Sequence, residues 1–190
     1  MKQQIILKIL AVLLGVMLLG ILLWVGSNKV KTQTSCPVQE EIRTVRGNSL
    51  EPLVPSGSDI KALFGYYNCH EIKRNDLVLY HYGGDKVPLL KIAKGLPQDS
   101  FHLIKNENED YNLLLNGKIT TNSRGIPYVF SGNKYRMLSL YEHDYQGIIP
   151  QNAYLLLGDL ASGSVDAGVF GLVDKSDIIG KAVVLKNKNY

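Results

Sequence analysis

Two cysteines and four histidines among 190 residues are the usual makings of metal or thiol chemistry, and their spacing supports neither. Cys69 and His70 are adjacent rather than separated as in C-x-x-C, and the histidines show no ligand spacing, so neither a metal nor another cofactor is expected. The chain also lacks a glycine-rich phosphate loop, a G-x-S-x-G elbow and an H-E-x-x-H helix. Serine, lysine and aspartate remain, in three segments. The first is Gly47-Asn48-Ser49-Leu50-Glu51-Pro52, followed by Gly57 and Asp59. The second runs from Arg74-Asn75-Asp76-Leu77-Val78-Leu79 to Leu90-Lys91-Ile92-Ala93-Lys94-Gly95-Leu96-Pro97-Gln98-Asp99. The third is Gly158-Asp159, then Ser164, Asp166, Phe170 and Gly171. Taken singly, these residues have ordinary readings. Ser49 between Gly47 and Pro52 is a turn serine, and Ser164 is loop composition. Lys91 lies in the apolar run PLLKIA, where an amine is desolvated and its pKa lowered. Strand alternation puts Leu89, Lys91 and Ala93 on one face and Leu90, Ile92 and Lys94 on the other; Lys91 on a half-exposed strand would simply meet solvent.

The elements that must position these groups follow from composition. Hydrophobic residues make up 45% and charged residues 20%, which excludes a disordered or collagen-like chain. The formal charge is +4, and Lys2 and Lys8 supply two of those charges. The rest of the chain is near neutral, with no basic run to suggest a nucleic-acid partner. Residues 1–28 contain no Asp or Glu, and residues 9–25 are 17 consecutive uncharged positions, 21 from residue 5 if Lys8 snorkels. About 20 apolar residues cross a bilayer, and Trp24 stands where an aromatic anchor belongs. The alternative is a signal peptide cut after Ser27, but its apolar core would run only about 7–15 residues. Residues 1–28 are therefore expected to be one transmembrane helix and residues 29–42 a juxtamembrane linker. Residues 43–190 would be an extracytoplasmic domain at the plasma membrane. Cys36 and Cys69 could form a disulfide or remain two buried thiols.

Short apolar runs at 77–82, 89–93, 101–105, 111–115, 128–130, 135–140, 154–157 and 178–185 read as strands. Asn116–Gly117 is a type I′ hairpin signal, and 131–133 reads as a second hairpin. The fold class is mainly β, an antiparallel sheet or barrel-like domain.

The three segments, in this order behind an apolar N-terminus, resemble the type I signal peptidase family, the membrane-anchored Ser/Lys leader peptidases. Its pattern is roughly G-x-S-M-x-P-T-L, G-D-I-V, K-R-x-x-G-x-P-G-D, an N-G-K hairpin and G-D-N with S-x-D-S-R. The likeness covers most of residues 43–185. It implies a signal-peptidase β-domain behind one transmembrane helix, with the lipid bilayer and the signal peptides of exported preproteins as partners. Ser49 matches the nucleophile and Lys91 the general base, with Lys94 the runner-up. Ser164 matches a serine whose hydroxyl holds the lysine amine, and the Ser49 N–H with Asn48 would meet the oxyanion. Asp159 and Asp166 match positions that support the site. On the same reading, residues 50–54 and 64–67 would rest at the lipid surface.

This chain departs from the pattern at Leu50 (Met), Leu53-Val54 (T-L), Ile92 (Arg), Leu160 (Asn) and Ala167-Gly168 (S-R). None of these removes a catalytic group, so activity is expected. Two other readings stay open: a processing peptidase for a dedicated substrate such as a conjugative pilin, and an inactive membrane-tethered assembly module.

Overall fold

The computed structural model describes Gln3 and residues 36–83, 87–161 and 163–185. The expected transmembrane helix lies outside the described residues. Among the described residues, no helix is long and apolar enough to cross a membrane.

Eleven strands are described: β1 (Gln39–Thr44), β2 (Asp59–Phe64), β3 (Leu77–Tyr80), β4 (Leu89–Gly95), β5 (Phe101–Lys105), β6 (Tyr111–Leu115), β7 (Lys118–Ile119), β8 (Val129–Phe130), β9 (Ala153–Leu157), β10 (Val173–Asp174) and β11 (Ile178–Val184). They form a seven-stranded sheet in the order β1-β2-β11-β3-β4-β9-β10 and a four-stranded sheet in which β6 pairs with β5, β7 and β8. Every pairing is antiparallel. The mainly β, antiparallel expectation is met.

β4 and β9 are interior strands of the larger sheet, and apolar side chains cover both their faces. On β9, Leu155 and Leu157 pack with Phe101, Leu113 and Tyr128. Tyr154 and Leu156 point the other way, into a cluster with Val78, Tyr80 and Ala93. A third cluster joins Val45, Leu50, Val54, Ile60, Ile92 and Ala182. Of the residues expected at the lipid surface, 50–54 and 64–67, several instead turn inward, while Phe64 and Tyr66 are half-buried. Leu50, Val54 and Tyr67 are core residues, and in the first stretch only Leu53, at 46%, is well exposed.

Asn116 and Gly117 have φ of 50° and 74°, the doubly positive pair that a type I′ turn requires. They join β6 to β7 as expected. The second expected hairpin is instead helix α1 (Gly132–Asp144). Tyr135, Leu138 and Tyr141, three apart, pack on the Phe101 cluster. That spacing is one face of a helix, and it overrides the strand expected at 135–140. A single turn, α2 (Ala167–Phe170), follows Asp166.

The described fold begins before residue 43. β1 starts at Gln39 within the expected linker, and Cys36 is disulfide-bonded to Cys69, 33 residues on. A cross-link of that span stabilises by about 2–4 kcal/mol, mainly by restricting the unfolded chain. Cys36→Ser/Cys69→Ser should lose about that much in chemical denaturation, and wild type should lose it on adding reductant. Equal midpoints with and without the bond would contradict this.

Candidate active site

The loop from Val45 to Ser58 is closed at its base by Val45 N–H donating to Ser58 at 2.8 Å and Gly57 N–H donating to Val45 at 2.9 Å. Gly47 enters with φ of 84°, which glycine adopts without steric cost. Glu51 N–H then donates to the Asn48 carbonyl (2.9 Å) and Val54 N–H to that of Leu50 (2.8 Å). Leu50 and Val54 plug the turn into the core and leave Ser49, half-buried, on its crest.

The Ser49 backbone is held from across the fold. Its carbonyl accepts from Asp159 N–H at 2.8 Å and Leu160 N–H at 3.2 Å. A Cβ built on Gly158 would collide with that same carbonyl oxygen and with Ser164 Oγ. The position therefore excludes any side chain, and Tyr128 Oη donates to the Gly158 carbonyl at 2.6 Å.

Lys91 approaches from β4, opposite Val78 of β3, and is 2% exposed. Its ammonium donates to Ser49 Oγ at 2.9 Å. With the amine neutral, the same contact lets the hydroxyl donate to the nitrogen lone pair. Burial drives the Lys91 pKa below the ordinary lysine value, and the charge of Asp166 opposes that shift in part. The arrangement is thus an amine biased toward its neutral form, within hydrogen-bond reach of a hydroxyl it could deprotonate.

A cleft of about 480 Å³ opens on this pair, lined by Ser49 and Lys91 and by the apolar side chains of Val45, Ile60, Leu79 and Leu90. Lys94 points elsewhere. It lines a separate cavity of about 770 Å³, and its amine donates to the Thr121 carbonyl at 3.1 Å.

None of the other residues named from the sequence hydrogen-bonds the Lys91 amine, whose partner is Ser49 Oγ. Ser164 Oγ donates to Asp166 Oδ2 at 2.7 Å, not to Lys91. Asp166 is buried, accepts from Gly168 N–H at 3.2 Å and so caps α2. Asp159, wholly buried, accepts from Leu53 N–H at 3.2 Å and Ser123 N–H at 2.8 Å. Asn48 is exposed. Among the described residues no cluster of His, Cys, Asp and Glu could hold a metal. Sequence reasoning missed Asn122, Ser123 and Tyr128. Asn122 Nδ2 donates to the Asp159 carbonyl at 3.0 Å, and Ser123 Oγ donates to the Asp159 carboxylate. Nothing in TTNSRG beyond turn composition marks Asn122 and Ser123, and Tyr128 falls in a run read only as a strand.

Residues 6–186 match the family model described as signal peptidase, peptidase S26. Signal peptidase IB of Staphylococcus aureus (strain COL) is 26% identical over 149 residues, 73% of each chain. The protein of the same name from strain Mu50 is also 26% identical over 149 residues and 73% of each chain. A crystal structure of a signal peptidase I from Enterococcus faecalis V583 aligns with a TM-score of 0.41 at 19% identity, covering 62% of this chain and 98% of that one.

Gly158→Ala should displace the Ser49 carbonyl or the Ser164 hydroxyl and cost about 1–3 kcal/mol, as overpacking does. Thermal unfolding reads this directly. An unchanged melting temperature would mean that the close approach at Gly158 is not needed.

Proposed function

The chain belongs to the peptidase S26 family of signal peptidases and is a serine peptidase; from that premise we propose that it removes signal peptides from exported preproteins with Ser49 as nucleophile and Lys91 as general base. The observation that carries this reading is the 2.9 Å contact between Lys91 Nζ and Ser49 Oγ at a buried amine.

The neutral Lys91 amine takes the proton of Ser49 Oγ as the oxygen adds to the scissile carbonyl. The Ser49 N–H and Asn48 receive the developing oxyanion. Collapse breaks the C–N bond, and the Lys91 ammonium returns the proton to the departing amine. The acyl-enzyme is then hydrolysed by a water that Lys91 deprotonates, which regenerates the serine hydroxyl. Small side chains one and three residues before the cut are expected, as the family's shallow apolar pockets admit little more.

Residues 1–28 hold the domain at the plasma membrane on its outer side. The 17-residue uncharged run supports the anchor, and the Cys36–Cys69 disulfide fits an oxidising compartment. The departures at Leu160 and Gly168 speak little for an inactive module. Both positions act through backbone N–H groups, on Ser49 and on Asp166, which any non-proline residue supplies.

Full-length protein in detergent should cleave a preprotein bearing an Ala-x-Ala site, and Ser49→Ala and Lys91→Ala should each lower kcat by at least about 100-fold. Retained cleavage in Lys91→Ala would move the base elsewhere. The kcat profile should rise with pH, because the base-competent fraction grows as Lys91 loses its proton. Its inflection should fall below the ordinary lysine value of about 10.4, since burial disfavours the ammonium. A limb at that ordinary value would contradict an amine tuned by burial.

A further inference from the structure

Asp159 grips the Ser49 turn at two places. Its N–H holds the Ser49 carbonyl at 2.8 Å, and its carboxylate accepts from Leu53 N–H at 3.2 Å. The same carboxylate ties the turn to Ser123 through that residue's N–H and hydroxyl. It is wholly buried, yet makes no ion pair among the described residues. A buried carboxylate charge without a nearby cation is costly, and hydrogen bonds only partly offset that cost.

The cavity of about 770 Å³ that Asp159 lines holds three cationic residues, Arg74, Lys94 and Lys118. Arg74 is committed to Asp99 at 2.7 Å and to the Lys94 carbonyl at 2.6 Å. Lys118 is exposed. Lys94 remains, half-buried, and its contacts converge on the residues around Asp159. Its amine donates to the carbonyl of Thr121, next to Asn122 and Ser123, which bind Asp159. It also lies 5.8 Å from the ring centre of Tyr128, whose hydroxyl holds Gly158. Burial lowers the Lys94 pKa, and the charge of Asp159 opposes that.

We propose that Lys94 is a positioning residue for the Ser49 turn, placing a cation in the second cavity beside the segment that binds Asp159 and so holding the Asp159 carboxylate in its bonds to Leu53 and Ser123. The kinetic part rests on the peptidase reading above; the structural part does not. Lys91 and Lys94 thereby divide the work on β4, one facing the serine hydroxyl and the other the segment that binds the carboxylate fixing the serine backbone.

Two measurements on the full-length protein in detergent test this. Hydrogen exchange needs no catalysis: K94M should speed exchange of the Leu53 and Ser123 amides about tenfold relative to the β5–β6 hairpin, and K94R should leave it near wild type. In preprotein cleavage, K94M should lower kcat about tenfold, within the range of coupled neighbours. KM should stay within about twofold, because Lys94 lies outside the Ser49 cleft, and K94R should restore most of the rate. K94M should add little in a D159N background, or in S123A if D159N fails to fold. Unchanged amide protection, an effect on KM alone, no rescue by arginine or strictly additive losses would each overturn the proposal. A wild type that cleaves nothing would instead count against the peptidase reading, and the exchange measurement would still decide the role of Lys94.

Discussion

A lysine amine beside a serine hydroxyl can act as a base only where water is kept from stabilising the ammonium, and the burial of Lys91 beside Ser49 depends on much of this fold. Lys91 is buried because β4 is an interior strand, paired with β3 on one side and β9 on the other. β9 in turn needs apolar cover on both faces, which the Phe101 and Val78 clusters provide. The second sheet and α1 supply the layer on the Phe101 side. Asp166 moderates the effect, since its charge favours the ammonium that burial disfavours.

The serine side is governed by backbone geometry rather than by side-chain identity. Leu50 and Val54 insert into the third cluster, so the turn cannot shift without opening the core. The N–H groups of residues 159 and 160 then fix the Ser49 carbonyl. This explains how the chain departs from its family's pattern at Leu160 and Ala167-Gly168 while keeping the local architecture. Leu50 in place of methionine is likewise a swap of similar apolar volume within a buried site.

Legibility in the sequence followed the range of the forces involved. β5 and β6 were read at their observed bounds because their turns and apolar runs are local, and Asn116–Gly117 specified its own hairpin. β1 and β2 were missed. β1 is mostly exposed and polar, and its strand form comes from pairing with β2 over six residues. α1 was misread because Tyr135 and Met137 imitate strand alternation, whereas the core sees Tyr135, Leu138 and Tyr141. Ser49, Lys91, Asp159, Ser164 and Asp166 were legible only as a joint pattern. Ser123 and Tyr128 reach Asp159 and Gly158 across 36 and 30 residues, and contacts of that separation leave no trace in local composition.

The most direct test of the central claim is the titration of the Lys91 amine itself, followed by nitrogen NMR on 15N-lysine-labelled protein and assigned with Lys91→Arg. The account predicts that the Lys91 resonance, told apart by that assignment from the also depressed Lys94, loses its proton at a pH distinctly below that of the exposed lysines. It should move back toward them when Asp159 and Asp166 are left intact but the surrounding apolar cover is thinned by Leu90→Ser. A Lys91 resonance titrating together with the exposed lysines, near about 10.4, would contradict it.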